Sequence, residues 1–334
     1  MSLLLAARGK LFCQAGAVVL AVEENVHTVP NIPIYILPLE IRETQPIEES
    51  SLISPSRGLG AEIARAFAAE GSNIAINYFS ASAPAEKLAS ELSTTHGVKI
   101  ATLQADAGSP SAITSLVQNA TQALGGLDIV IANAGWTRFS DFNDLDALSD
   151  EEWDRCWKTN VLGVKALAAA AVPVFNSNAE GGVVLVTSSI AGRSIGGSSM
   201  AYSVTKAAQL HLVKCVAKTQ GAKVRCNAVL PGLLLTEWGL EYGDERIKAL
   251  KEAAVLQKEV RCAFSLSRSS NLLRLTYTKF VAVDWSKLEL LTDFHHYSQT
   301  DLQDCANMFV SLAKNTSITG QHIQIDSGLA IQHL

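Results

Sequence analysis

Short apolar runs alternate with longer amphipathic stretches from Gly58 almost to the end of the chain. Runs such as NIAINY, LDIVIANAG, GGVVLVTSS and VRCNAVLPG have the length and composition of buried strands. The stretches between them carry apolar residues at helical spacing, and several of them stop at a glycine. Nearly continuous apolar strands are typical of a parallel sheet that helices cover on both faces. The sequence therefore predicts an α/β fold with a doubly wound sheet.

Composition narrows the class of protein. The chain has 334 residues and a net charge of −5, and this mildly acidic balance argues against nucleic acid or an anionic membrane as the main partner. The six cysteines form no CxxC pair and no group with histidine at metal spacing, so we expect reduced thiols and no metal. In the opening MSLLLAARGK the basic residues follow the apolar run, which is the reverse of a signal peptide. We expect a cytoplasmic protein.

The stretch that carries chemistry is SSIAGRSIGGSSMAYSVTK. Tyr202 and Lys206 are four residues apart at the start of a predicted helix, so both side chains project from one face. An ammonium beside a phenol favours the phenolate and lowers the tyrosine pKa towards working pH. Ser189 ends an apolar strand, at the edge where open α/β sheets bind ligands. This set could exchange a proton with a carbonyl or alcohol oxygen, although an isolated Tyr–Lys pair is more often a surface feature of a helix.

These residues belong to a longer ordered series. A glycine turn comes first, followed by ANAG after a strand, Asn160 in WKTNVLG, the stretch above, and PGLLLT. In this order the chain resembles the short-chain dehydrogenase/reductase family of the classical type, over residues 58–258 and 300–329. The resemblance implies a single NAD(P)-binding, Rossmann-type domain with a parallel sheet of about seven strands. It also implies an oxidoreductase that reduces a carbonyl, or oxidises the alcohol, of a small organic substrate.

The resemblance also implies a role for each matching residue. Ser189, Tyr202 and Lys206 match the catalytic serine, tyrosine and lysine of the family. Asn160 matches the asparagine that supports a water-linked proton relay through the lysine. The implied cofactor-binding residues are Gly16, Ser56, Arg57, Gly58, Leu59, Gly60, Asp106, Asn133, Gly135, Tyr202, Lys206, Pro231, Gly232 and Thr236.

The expected cofactor is NADP(H) rather than NAD(H). NAD-dependent enzymes of this type usually place an acid after the second strand to bind the ribose hydroxyls. Here that strand ends NYFS, without an acid. Arg57 is placed to meet a 2′-phosphate, unless it only caps a solvent-facing turn. Asp106 is expected near the adenine, unless it only caps its loop, and Asn133 could likewise be a plain turn residue.

The phosphate-binding turn of the family is divided in this sequence. SLISPSRGLG supplies its second half, whereas GKLFCQAGA supplies a strand at residues 10–14 and the first glycine, Gly16. We therefore expect one domain with a core of residues 9–17, 56–259 and 300–329. Residues 18–55 would be an irregular insertion in the phosphate loop, and residues 260–299 a second one near the substrate lid. Alternatively, both are genuine elaborations, such as a lid or a partner-binding arm.

The divided turn leaves a second function open. Pro55 has no N–H to offer a pyrophosphate, and an insertion there must leave and return through the phosphate site. The alternative is therefore a non-catalytic or inactive isoform whose insertions block the cofactor site and leave a binding or scaffold role. The complete set of catalytic residues favours the enzyme.

Two further expectations concern the partners. Trp136 and Phe139, together with the lid after Gly232, suggest an apolar, aromatic or cyclic carbonyl substrate, unless they are ordinary packing residues. The Ala-rich helices that hold Asn160 and Tyr202 resemble the oligomer faces of the family, which implies a homodimer or homotetramer.

Overall fold

Seven parallel strands form one sheet in the computed structural model, which describes the backbone of residues 32–39 together with residues 58–256 and 300–333. The strand order is β3-β2-β1-β4-β5-β6-β7, which confirms the doubly wound sheet. The strands are β1 Ile32–Leu39, β2 Ser72–Tyr78, β3 Ile100–Gln104, β4 Ile129–Ala132, β5 Gly182–Thr187, β6 Val224–Pro231 and β7 His322–Ile325.

Helices cover both faces of this sheet. They are α1 Leu59–Ala69, α2 Ser82–His96, α3 Pro110–Leu124, α4 Asp150–Trp157, α5 Val164–Ser177, α6 Met200–Gln220, α7 Glu237–Leu240, α8 Asp244–Ala253 and α9 Leu302–Lys314. One apolar core joins α3, α5 and α6 to the sheet, around Leu116, Phe175 and Val213. The other joins α1, α2 and α9 to the opposite face. The helical run 150–177 is long and apolar enough to cross a membrane by length and composition alone, but the core helix of a soluble protein passes the same test.

The central strand comes from a part of the chain that the sequence analysis assigned to an insertion. β1 lies between β2 and β4 and pairs in parallel with both. The prediction that residues 18–55 are wholly irregular is therefore wrong for 32–39. Residues 10–14, the strand predicted for this central place, lie outside the described residues, and so do residues 260–299.

Two prolines explain why the sequence pattern concealed this strand. Proline has no N–H for the ladder and is uncommon in central strands. Pro33 and Pro38 both lie in β1, and the pairing with β2 shifts its register between Ile36 and Leu39, around the second proline. The rest of IPIYILPL is rich in isoleucine and leucine, which suits a buried strand.

Local signals set the ends of several helices as expected. α2 and α3 stop at Gly97 and Gly125, whose φ angles of 68° and 86° are left-handed and favour glycine. α4 begins with a capping box, in which Ser149 accepts from the N–H of Glu152 and the Glu152 side chain accepts from the N–H of Ser149. The ends of α2 and α3 precede β3 and β4, and the start of α4 ends the loop that follows β4.

A π-helical turn, Lys158–Gly163, joins α4 to α5. Such turns are rare and occur frequently at functional sites. Gly163 lies so close to the loop after β3 that an added Cβ would be 2.2 Å from the carbonyl oxygen of Ala107. The turn therefore depends on glycine at this close approach.

Asp128 is a buried carboxyl at the amino end of β4, opposite the edge described below. Its Oδ1 accepts from Nδ2 of Asn178 at 3.2 Å, while its Oδ2 has no partner among the described residues. Burial raises the pKa of Asp128 to about 7. Because the unfolded pKa is about 3.9, ionising this carboxyl costs stability progressively as the pH rises from about 4 to about 7.

We expect Asp128→Asn to stabilise the protein relative to wild type, by an amount that grows between about pH 4 and pH 7 and then levels off. The reason is that the neutral amide avoids the cost of burying a carboxylate. Urea unfolding of both proteins at pH 4, 6 and 8 measures this difference. Asp154→Asn, at an exposed carboxylate, is the control and should change the free energy of unfolding little. A stability difference independent of pH would contradict the assignment.

Candidate active site

The carboxyl ends of β4, β5 and β6 meet at one edge of the sheet, where open α/β folds bind ligands. Asn133 and Gly135 follow β4, Ser189 follows β5, and Gly232 follows β6. The parallel sheet thus brings together four residues that are up to 99 positions apart in the sequence (232 − 133 = 99).

Asn160 is fully buried in the π turn and fixes the loop after β4. Its Oδ1 accepts from the backbone N–H of Trp136 at 2.7 Å, and its Nδ2 donates to the carbonyl of the same residue at 3.0 Å. Nδ2 also donates to Oγ1 of Thr205 on α6, at 2.9 Å. The side-chain oxygen of Asn160 accepts from a backbone N–H and its nitrogen donates to a backbone carbonyl, so one amide joins the loop after β4, the π turn and α6.

The sequence analysis missed Gln209, which also contacts Asn160. Gln209 is buried, and its Nε2 donates to the backbone carbonyl of Asn160 at 2.6 Å. It lies three positions after Lys206 on α6, so its spacing on the same helical face was the available signal. This hydrogen bond uses one lone pair of the Asn160 carbonyl oxygen. The second lone pair remains able to accept another hydrogen bond.

The ammonium group of Lys206 is buried near the carboxyl ends of β4 and β5. Only 2% of the residue is exposed, and Nζ donates to the carbonyl of Thr187, at the end of β5, at 2.8 Å. An added Cβ on Gly135 would be 3.7 Å from this Nζ and 3.6 Å from Oδ1 of Asn160. The lysine and the asparagine therefore both approach the same glycine.

Tyr202 lies in the first turn of α6, which Ser199 begins by accepting from the Tyr202 N–H at 3.2 Å. The ring centre is 5.3 Å from Nζ of Lys206. On its other side the ring contacts Trp238 of the lid edge to face, with centroids 5.2 Å apart. Tyr202 is 5% exposed, so the lid covers it.

Ser189 begins a 3-10 turn, Ile190–Gly192, and its Oγ accepts from the N–H of Ala191 at 3.1 Å. This turn is fastened to α6, because Oγ of Ser203 donates to the carbonyl of Ala191 at 2.7 Å. The serine and Tyr202 are therefore held by one pair of packed elements. In the part of the chain that the structure describes, no acceptor takes the proton of the Ser189 hydroxyl.

The remaining predicted cofactor residues lie along the same edge. Gly58 is the N-cap of α1, and Leu59 and Gly60 form its first turn. Oδ1 of Asp106 accepts from the N–H of Gly108 at 2.8 Å, which is the loop-capping contact considered above. The other placements are as follows: Asn133 accepts from the Thr187 hydroxyl at 2.9 Å, Pro231 ends β6, the Gly232 N–H donates to Ile325, and Thr236 caps α7. Gly16, Ser56 and Arg57 lie outside the described residues.

The lid after β6 carries aromatic contacts towards the loop after β4. Tyr242 meets Phe139 edge to face, with centroids 4.9 Å apart, and burial raises the pKa of Tyr242 to about 12. Trp136 instead packs beside Leu148 and Cys156. Phe139, one of the two aromatic residues singled out in the sequence, therefore contacts the lid. No group of three potential metal ligands occurs in the described ranges.

Comparison with known proteins bears directly on this arrangement. A family model described as enoyl-(acyl carrier protein) reductase matches residues 53–263, more than half of the chain. The chain belongs to the short-chain dehydrogenase/reductase family. A versicolorin reductase of Emericella nidulans is 35% identical over 193 residues, which are 57% of this chain and 70% of that protein. A 3-oxoacyl-(acyl-carrier-protein) reductase of Staphylococcus aureus is 31% identical over 212 residues, which are 63% and 82%.

Solved structures of this family share the fold. An NADPH-dependent 3-quinuclidinone reductase from Rhodotorula rubra has a TM-score of 0.67 at 20% identity and covers 93% of this chain and 98% of its own. A short-chain dehydrogenase from Burkholderia cenocepacia, in complex with NADP, has a TM-score of 0.65 at 23% identity, with coverage of 89% and 96%. The predicted family and fold are confirmed, and the chain is a short-chain dehydrogenase/reductase enzyme.

Proposed function

We propose that this chain reduces a carbonyl of a small organic substrate with NADP(H), or oxidises the corresponding alcohol, with Tyr202 as acid and base. The observation that carries the proposal is the buried ammonium of Lys206, 5.3 Å from the ring centre of Tyr202. A positive charge in this place stabilises the negative charge that develops on a phenol oxygen as it gives up its proton.

Each residue of the site has a distinct task in this proposal. Tyr202 protonates the carbonyl oxygen, and Ser189 holds that oxygen by donating a hydrogen bond. Lys206 supports the charge on the tyrosine, fixed by its hydrogen bond to Thr187. Asn160 supplies the backbone carbonyl through which a water-linked relay would return a proton to Lys206. NADPH, when bound, supplies the hydride for the carbonyl carbon.

The residues present fit a nicotinamide cofactor. The N–H groups in the first turn of an α-helix have no partner within the helix, so the first turn of α1 can offer them to a pyrophosphate, and an added Cβ at Gly58 would meet no described atom within 4 Å. Lys206 and Asn133 would hold the ribose beside the nicotinamide, and Gly232 and Thr236 would face its carboxamide. The absence of an acid after β2 favours NADP(H).

The substrate that we propose is apolar, and aromatic or cyclic. Trp238 and Tyr242 of the lid bring aromatic rings to Tyr202 and Phe139. Flat rings favour such edge-to-face contacts, so an aromatic substrate could replace part of them. The relatives named as reductases of versicolorin and of a 3-oxoacyl group support a carbonyl substrate.

A second candidate function is a binding or scaffold role without catalysis. One sequence observation favours it: Ser54 and Pro55 stand where the family's phosphate turn needs its front half. The proposed insertions, which include residues 260–299, would then prevent cofactor binding.

The cytoplasmic location of the protein also stays a prediction.

We propose that the protein forms a homodimer or homotetramer through the helices that hold the site. Trp157, Leu162 and Val204 are large apolar side chains on α4, the π turn and α6, and each is about 40% exposed. Exposed apolar side chains on adjoining helices are typical of subunit contacts. Size-exclusion chromatography with light scattering should give a dimer or tetramer, and a monomer at micromolar concentration would refute the proposal.

We expect Tyr202→Phe to reduce turnover at least about 100-fold, because the ring remains but its proton is lost. The Kd for NADPH should change by less than about threefold, since the hydroxyl is a small part of the cofactor contact. Initial rates of NADPH oxidation with aromatic and cyclic ketones measure the first effect, and fluorescence titration measures the second.

The matched control is Tyr242→Phe, which removes the same atom from the lid and should keep most of the turnover. Tyr202→Phe protein that turns over at the wild-type rate would exclude tyrosine acid–base catalysis. A wild-type chain that binds NADPH but reduces none of the ketones would leave the non-catalytic role as the better account.

A further inference from the structure

Arg155 brings a positive charge to the carboxyl end of β2. It lies in the last turn of α4, and its guanidinium carbon is 5.6 Å from the centre of the Phe79 ring. Phe79 directly follows β2, in the stretch where NAD-dependent enzymes usually carry an acid. The sequence analysis did not assign Arg155, because it is 76 positions from Phe79 (155 − 79 = 76) and only the fold brings them together.

The guanidinium of Arg155 has N–H donors without an acceptor among the described residues. Nε of Arg155 is buried and has no partner among the described residues. Its Nη2 is 3.7 Å from Oδ1 of Asp106, a distance that suits an ion pair but is too long for a hydrogen bond. That same Oδ1 already accepts from Gly108 at 2.8 Å. Leaving a buried donor unpaired costs stability, so an acceptor supplied by a ligand would be favourable here.

The surroundings of the Arg155 guanidinium suit the binding of a phosphate group. The side chain of Arg155 is 42% exposed, and Phe79 is also 42% exposed, so a ligand can reach both. Arginine presents a planar fork that matches phosphate oxygens, and the flat ring below it limits the orientations of that fork. Asn77, the penultimate residue of β2, is buried, and its Nδ2 donates to the carbonyls of Leu103 and Ala105, so this nitrogen is not available to a ribose.

We propose that Arg155, held over Phe79, binds the 2′-phosphate of NADP(H) and thereby selects NADP(H) over NAD(H). This inference rests on the proposed function, and it adds a residue of α4 to the expected contribution of Arg57. Arg155 supplies the charge, Phe79 sets the plane of the guanidinium, and Asp106 keeps its Nη2 on the cofactor side.

Binding of two nucleotide fragments tests this without catalysis. The probes are 2′,5′-ADP, which carries the 2′-phosphate, and 5′-AMP, which lacks it. Arg155→Gln should raise the Kd for 2′,5′-ADP about tenfold or more, as expected for one charge-assisted hydrogen bond, and leave the Kd for 5′-AMP within about twofold. Isothermal titration calorimetry on the full chain measures both constants.

Two further variants complete the experiment. Lys158→Gln is the matched control, because it removes an exposed cation from the π turn, three positions on, and should leave both constants unchanged. Arg155→Lys keeps the charge without the planar fork and should give an intermediate Kd for 2′,5′-ADP. It also serves if Arg155→Gln does not fold.

The outcomes separate this inference from the proposed cofactor preference. If wild type prefers 2′,5′-ADP and neither Arg155 variant changes that preference, Arg155 has no such role and only this inference falls. An equal rise of the Kd for both nucleotides in Arg155→Gln would also overturn this inference, since Arg155 would then support the adenosine site as a whole. A wild-type chain that binds both fragments equally would overturn the NADP(H) preference as well.

Discussion

The buried amide of Asn160 fixes the position of the whole site. It pairs with both backbone groups of Trp136 and with Thr205, so the loop after β4, the π turn and α6 cannot move independently. Asn160 itself is fully buried, and leaving a buried donor or acceptor unpaired costs ~1–3 kcal/mol. Lys206 then reaches the end of β5 from the same helix. The four-residue spacing on α6 puts the ammonium near Tyr202, and the hydrogen bond to Thr187 fixes its position there.

The sheet explains why this set can work as a unit. Parallel strands place all their carboxyl ends at one edge, and the loops after β4, β5 and β6 supply one functional group each. The lid covers the edge through aromatic contacts, as between Tyr202 and Trp238, and through a hydrogen bond from Arg246 to the carbonyl of Gly197. Such aromatic contacts are worth ~0.5–1.5 kcal/mol each beyond the area they bury. A lid held in this way can open for a substrate at modest cost.

Sequence reasoning recovered the parts of the molecule that periodicity and spacing determine. The apolar runs predicted β2, β4, β5 and β6, the glycines marked the ends of α2 and α3, and the four-residue spacing put Tyr202 and Lys206 on one face of α6. It failed at β1, where Pro33 and Pro38 argue against a central strand. The partners of Asn160 and the pairing of Arg155 with Phe79 could not be predicted, because they depend on how distant elements pack.

The catalytic residues and the phosphate turn differ in how strongly the local sequence determines them. The catalytic residues sit on elements with strong local signals, whereas the phosphate turn precedes α1 and depends on residues that the sequence separates. Gly58 begins α1 as the family requires. What comes before it decides whether a pyrophosphate can approach the first turn of that helix.

Titration of NADPH into the full chain, followed by energy transfer from tryptophan to the bound nicotinamide, tests the central claim most directly. A variant that lacks residues 260–299 but keeps β1 should be titrated in parallel. Our account predicts saturable binding of one NADPH per chain in both proteins, with displacement by NADP. A folded full chain that shows no saturable binding would contradict it, and binding by the shortened variant alone would identify residues 260–299 as the obstacle.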